Sequence, residues 1–321
     1  MKPARPIELA SARGAESLSP PLRNLPADSL SLMEKSLKRQ WKCYRAGLKG
    51  CQEKFSESAI HDTRVGARRL LSTLELLGGF LSAGRLGKVE RAVKRQLDTF
   101  DELRDAQVQL PIIRKLQRTF PAAVPFYAYL MRREERLARS TRKNIRNVKT
   151  KRLGGLITAC RDEIKARGEN YSPERAAASL VRSVQRAFTQ TCKLRARIDP
   201  NDTRTIHCTR VAFKKFRYMM ETLMDYLPAK NTLREAMHDY QTMMGEIQDL
   251  EVLQRTLDKF FQKHAVPSEP ARHLREEFSR RRQGLIEVYL GAADRLNEFW
   301  PWHPARVSRP PAAPRTQSRI R

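Results

Sequence analysis

One six-residue segment occurs twice in the chain. Residues 60–65 read Ile-His-Asp-Thr-Arg-Val, and residues 206–211 read Ile-His-Cys-Thr-Arg-Val, so five of the six positions are identical. Downstream, Glu-Leu-Arg-Asp at 102–105 is echoed by Glu-Ile-Gln-Asp at 246–249. The distance between the copies is too long for a solenoid repeat and predicts a duplicated helical unit, with each half burying its own core.

The sequence between the two ends predicts helices throughout. Prolines interrupt helices, and those outside the ends mostly separate long stretches rich in Leu, Ala, Arg, Glu and Lys. Strand patterns are absent. We predict nine helices, at about 29–49, 58–78, 86–118, 122–148, 150–167, 173–195, 203–226, 230–263 and 270–298. The fold class is therefore all-α, with the two halves at 29–170 and 171–300.

The chain carries 63 Lys and Arg against 35 Asp and Glu, a formal net charge of +28. Residues 1–28 contain four basic and three acidic side chains with five prolines. Residues 301–321 contain five arginines and five prolines without an acid, so we predict two disordered tails. Most of the positive charge then lies on the helical body. Such a charge attracts polyanions without selecting between nucleic acid, a membrane surface and another phosphate polymer.

Several classes of site are disfavoured by residue spacing. The five cysteines are widely spaced and never form CxxC, which argues against a disulfide framework and a zinc site. No apolar run approaches the roughly 18 residues of a membrane span. The segment 1–6 lacks an apolar signal core. We therefore expect a cytoplasmic protein with no transmembrane segment, no metal and no cofactor.

The repeated segment predicts a helix with one basic face and one apolar face. The basic face of the first copy holds His61, Arg64, Arg68 and Arg69, and that of the second holds His207, Arg210, Lys214, Lys215 and Arg217. Like charges three and four positions apart are mildly destabilising. Their occurrence in both copies indicates that a bound anion supplies the counter-charge. A solvated surface, with histidines that bond to a neighbouring helix, is the alternative interpretation.

These residues resemble a known family. Two helices of the form His-x-x-Arg-Val-x-x-basic-basic, each followed about 40 residues later by a Leu/Ile-x-Asp helix, resemble the conserved histidine α-helical (CHAD) domain over residues 29–300. The resemblance implies two four-helix bundles related by a pseudo-twofold axis. It also implies non-catalytic binding of inorganic polyphosphate along a central basic groove, and association with polyphosphate granules.

Carried over by position, the resemblance assigns the nine basic-face residues above to the ligand site. Weaker candidates, placed by helix position, are Lys38, Lys42, Lys94 and Arg104. Departures from the family pattern are Leu71 where an arginine is usual, Gln248 opposite Arg104, and Phe100-Asp101 in place of the usual Leu-Gly, and they leave open whether the two halves contribute equally.

Other functions are less well supported by the sequence. HExxH, GxSxG and P-loop patterns are absent, which disfavours an enzyme. Asp105 and Asp249 are single carboxylates beside basic residues, and we interpret them as ion-pair partners that orient the groove. Non-specific nucleic-acid binding is the alternative function. It is less favoured because single-strand binders stack bases on aromatic side chains, and only 7% of the residues are aromatic. A scaffold that tethers other proteins to granules would use the same groove.

Overall fold

Ten α-helices contain most of the residues that the structure, a computed structural model, describes: 25–226, 231–264 and 266–300. They are α1 (Ser29–Lys54), α2 (Glu57–Leu76), α3 (Ala83–Asp98), α4 (Asp101–Leu116), α5 (Ala123–Arg146), α6 (Lys151–Gly168), α7 (Pro173–Arg195), α8 (Thr203–Met224), α9 (Asn231–Lys263) and α10 (Ser268–Ala292). Short 3-10 helices follow α2 and α10, at Leu77–Phe80 and Ala293–Glu298. None of the described residues forms a strand, and the all-α prediction is confirmed. The predicted tails, apart from residues 25–28, lie outside the described residues.

The helix predicted at 86–118 is two helices. The Phe100 amide donates to the Leu97 carbonyl at 2.9 Å, a tighter bond than the α-helical one, and the Phe100 side chain is buried. After this turn, α3 packs on α2 and α6, whereas α4 packs on α5 and α9. Different packing partners therefore divide a stretch that propensity alone joins. Pro111 lies within α4, with its ring exposed.

The two helices that carry the repeated segment begin at capped ends. The Ser56 hydroxyl accepts a hydrogen bond from the Ala59 amide at 3.2 Å, and the Asp202 carboxylate accepts one from the Arg204 amide at 3.0 Å. Such caps satisfy amides that the first turn of a helix leaves free. They fix where α2 and α8 start, and so the angular positions of the basic side chains that follow.

Two apolar cores hold the helices together, and each draws on both predicted halves. The larger contains side chains such as Leu70 and Phe80 together with Phe213 and Tyr240. The smaller lies between α4, α5, α9 and α10. This differs from the expectation that each half buries its own core, because α2 packs directly against α8 and α4 against α9. No described helix is long and apolar enough to cross a membrane.

Helices α1 and α2 approach closely where glycine leaves room. A Cβ on Gly66 would lie 3.1 Å from the Tyr44 Cα, a backbone atom that cannot rotate away. We expect Gly66→Ala to destabilise the protein by about 1–2 kcal/mol in urea unfolding, since overpacking outweighs the higher helix propensity of alanine. Gly50→Ala is the matched control, because no atom lies within 4 Å of its added Cβ. Equal stability of the two variants would contradict the close contact.

Candidate functional site

Four cations meet where α2 packs against α8. Arg64 and Arg68 lie one turn apart on α2, and Arg210 and Lys214 lie one turn apart on α8. We call these four residues the basic cluster. Their positions follow from the i, i+4 spacing of the repeated segment, which places both pairs on helix faces that approach each other.

Lys214 lies at the centre of the charge. Burial, followed by the charges of Arg68, Arg210, Arg64 and Arg217, lowers the pKa of Lys214 to about 6. Among the described residues, no carboxylate lies within ion-pair distance of its ammonium group. The protein therefore holds an amine here whose protonated form lacks an ion-pair partner among the described residues.

Arg68 and Arg210 share this environment. Burial lowers the pKa of both guanidinium groups, and the Arg64 charge lowers that of Arg68 further. Neither forms an ion pair with any described residue, and the Arg210 Nε is buried without a hydrogen-bond partner. Arginine stays charged in proteins, so the site keeps strong positive charge at neutral pH.

Carboxylates border the basic cluster on the side of α4 and α9. Asp101 accepts from Arg64 at 2.6 Å, and the Arg64 residue is only 7% exposed. Burial raises the pKa of Asp249, whereas Arg210 and Arg104 lower it. These charges thus act on Asp249 but, like Asp105, it forms no ion pair with a described residue, which differs from the expectation that both are ion-pair partners.

Asp105 lies beside two other acids. Its pKa is raised, first by desolvation of the carboxyl group and then by the charges of Asp101 and Asp249. The charges of Arg64 and Arg133 lower it by less. The three carboxylates are thus crowded on one border of the cluster. They offset its charge only at that border.

The two histidines of the repeated segment lie in different surroundings. Burial and the charge of Arg210 lower the pKa of His207, whereas a hydrogen bond with Gln248 raises it by less. The His207 Nδ1 is buried without a hydrogen-bond partner in the described structure. His61 is exposed and, with Arg69, lines a separate cavity of about 740 Å³ between α1 and α2. Only His207 therefore adjoins the basic cluster closely.

Lys215 and Arg217 do not belong to the basic cluster and contact other residues. Lys215 binds Glu75 at 2.9 Å. Arg217 is 7% exposed, contacts the His238 Nδ1 at 3.0 Å and lies over the Tyr218 ring. Sequence position alone therefore groups Lys215 with Lys214, but the structure separates them.

The weaker candidates divide in the same way. Lys38 and Lys42 are exposed on α1, and Lys94 is exposed on α3, where its charge acts on Glu75. Arg104 binds Glu57 at 3.2 Å and also acts on Asp249. Of the four, only Arg104 adjoins the border of the basic cluster.

Arg133 on α5 was missed as a candidate. Its Nη1 is buried without a hydrogen-bond partner among the described residues, and its charge lowers the pKa of Asp105. No repeat marks it, so the sequence offered no signal. Within the described ranges, no three His, Cys, Asp or Glu side chains are grouped as metal ligands.

Comparison with known proteins identifies the family of the chain. A model of the CHAD domain matches residues 35–258, well over half of the chain. The chain belongs to the CHAD family. That family is linked to polyphosphate binding. A search of curated protein sequences gives no match.

Two solved structures share the fold. The crystal structure of the CHAD domain from the plant Ricinus communis has a TM-score of 0.62 and 19% identity, covering 82% of this chain and 91% of that one. PptA from Streptomyces chartreusis has a TM-score of 0.58 and 14% identity, covering 84% and 99%. At such identities the likeness establishes the CHAD fold alone.

Proposed function

We propose that the protein binds inorganic polyphosphate, without catalysis, across the α2–α8 surface that carries the basic cluster. The observation that carries the proposal is the arrangement around Lys214, where Arg68 and Arg210 lie beside the amine and none of the three has an ion-pair partner in the described structure. Holding like charges together costs free energy. A bound polyanion would repay that cost by supplying several negative charges in one linear molecule.

The surrounding residues extend the proposed site unequally. His207 adjoins the cluster, whereas His61 and Arg69 line the α1 side of α2 and would meet a chain that continues past the centre. Lys215 and Arg217 already contact Glu75 and His238, so they would affect the ligand indirectly rather than bind it. We propose that the two halves, 29–170 and 171–300, hold different stretches of one polymer. Binding of long chains would place the protein at polyphosphate granules in the cytoplasm.

Affinity for long-chain polyphosphate should fall steeply with salt. Each neutralised phosphate releases condensed counterions, so log affinity should fall linearly with log salt concentration. The DNA coefficient of about 0.9 per contact, applied as a guide to the four cations, predicts a slope of about −3.6. Titration by calorimetry at several salt concentrations measures it. A flat response would rule out the ionic mechanism.

Competition decides between polyphosphate and nucleic acid as the ligand of the basic cluster. Polyphosphate has neither sugars nor bases and is thinner than a duplex, so its phosphates can approach the partly buried cations of the basic cluster more closely than those of a duplex can. Labelled polyphosphate should therefore be displaced by unlabelled polyphosphate at much lower phosphate concentration than by duplex DNA or RNA. Equal displacement by all three would favour non-specific nucleic-acid binding instead.

A further inference from the structure

A second cationic surface lies on α5 and the start of α6. Residues 136–161 contain nine Lys or Arg and no Asp or Glu. The sequence repeat does not include this segment. Its charge is therefore not explained by the proposed polyphosphate site.

Five of the cations form one line along α5. Arg132, Arg136, Arg139, Lys143 and Arg146 are all exposed and are separated by three or four positions, which puts them on one helix face. The opposite face, with Phe126, Leu130 and Ile145, is buried against the protein. From Arg132 to Arg146 the line is about 21 Å long at 1.5 Å per residue. We call these five residues the α5 stripe.

The α5 stripe has few counter-charges. Two acids, Glu134 and Glu135, lie within its span, and among the described residues only Arg139 of the five cations forms an ion pair, with Glu135 at 4.0 Å. Exposed like charges at these spacings cost a few tenths of a kcal/mol per pair. Lys151 and Arg152 then occupy the first turn of α6, where the helix dipole disfavours positive charge. A solvated helix face needs none of this, so the arrangement indicates an external polyanion.

The shape and composition of the α5 stripe select among polyanions. The stripe is convex, because α5 packs on α4 through its other face and the five cations face outward. A wide ligand such as a duplex can therefore reach it. No large apolar side chain between 132 and 152 is exposed for insertion into lipid. Four of the five cations are arginines, which suit the bidentate recognition of phosphate.

We infer that the α5 stripe binds the phosphate backbone of duplex nucleic acid without sequence specificity. A line of about 21 Å spans roughly six base pairs, given about 34 Å per helical turn of ten. Backbone contacts from exposed arginines position a protein on a duplex but carry no base information. The inference is independent of the polyphosphate proposal, since it uses another helix and other residues. The protein would then hold two kinds of polyanion on two separate surfaces.

The test compares two variants of the full chain with equal loss of charge. In the α5 variant, Arg136, Arg139, Lys143 and Arg146 are changed to Gln. In the control, Arg175, Arg182, Lys193 and Arg197, four exposed cations on and just after α7, are changed to Gln. Binding of a short duplex DNA and of long-chain polyphosphate is measured by fluorescence anisotropy across salt concentrations, and circular dichroism verifies the helices.

We expect the α5 variant to lose about tenfold or more in duplex affinity, and its salt dependence to be less steep by about 3 to 4, since each phosphate contact contributes about 0.9. The control should lose less than about threefold, by the weaker effect of net charge. Polyphosphate affinity of the α5 variant should stay within about threefold of the parent. Equal duplex affinities of the two variants would overturn the inference. So would a larger loss for polyphosphate, or for vesicles of anionic lipid, than for duplex DNA. Failure of the parent protein to bind polyphosphate would contradict only the proposed function.

Discussion

Replacing Arg68, Arg210 and Lys214 together by Gln should lower the affinity for long-chain polyphosphate by at least about 100-fold. Hydrogen bonds to charged groups contribute about 1.5–3 kcal/mol each, and 1.4 kcal/mol corresponds to a factor of ten. The three side chains form no ion pair with a described residue, but Arg210 and Lys214 lower the pKa of Asp249, so their loss removes favourable charge beside that carboxylate. Relief of the like-charge crowding and loss of this support oppose each other, so the free energy of unfolding should stay within about 1–2 kcal/mol of the parent value. Isothermal titration calorimetry and urea unfolding measure the two quantities.

A control that replaces the same number of basic side chains separates the effect of the basic cluster from that of net charge. Lys35, Lys49 and Lys54 are exposed on α1 and do not belong to the basic cluster; Lys49 pairs with Glu53 at 3.7 Å. Their replacement by Gln should lower polyphosphate affinity by less than about threefold, because exposed charges are screened by salt and hydrated. Equal losses in both triple variants would show that binding follows total charge, and the assignment of the basic cluster would then be wrong.

The sequence predicts most of the helices because their ends carry local signals. Pro173 follows the capping residue Ser172, and α7 is found where it was predicted, at Pro173–Arg195. The break between α3 and α4 has no proline or glycine, and it depends on where Phe100 is buried. When a side chain is buried in a core formed by distant segments, the sequence around it contains little signal of that burial. The same reasoning applies to the cores, whose sharing between the two halves depends on how α2 meets α8.

The candidate site is only partly predictable for a related reason. Helical periodicity indicates that Arg64, Arg68, Arg210 and Lys214 share the basic faces, and the structure places them together. Periodicity does not reveal that Glu75 binds Lys215, because that contact depends on the crossing of two helices. Nor does it distinguish His61 from His207, which have equivalent positions in the repeat. Burial of His207 comes from its environment near Gln248, and the cavity around His61 comes from α1.

Affinity for polyphosphate should fall as the pH rises above about 6. In the free protein the pKa of Lys214 is lowered to about 6, so the amine is mostly neutral at pH 7.5. A bound phosphate chain favours the charged amine and raises its pKa toward the ordinary value, so binding takes up a proton. Between the free and bound pKa values, affinity should fall by up to about tenfold per pH unit, because one pH unit corresponds to 1.36 kcal/mol for a single proton. Long chains are the suitable ligand, since their few terminal phosphates contribute little titration of their own.

Lys214→Met tests the origin of this pH dependence and its cost in stability. The variant should bind more weakly at pH 6 and should lose most of the fall in affinity between pH 7 and 9. His207→Gln should keep that fall, because the pKa of His207 is lowered and its proton uptake lies at lower pH.

The unfolded chain protonates Lys214 near its usual pKa of about 10.4, so the parent loses stability as the pH falls from there toward 6. Lys214→Met removes this loss and should raise the free energy of unfolding at pH 7 by about 1–2 kcal/mol, as replacement of a buried charge by an apolar side chain often does. A variant that is less stable than the parent at pH 7, or that keeps the full pH dependence of binding, would show that Lys214 is not the group held uncharged for the ligand.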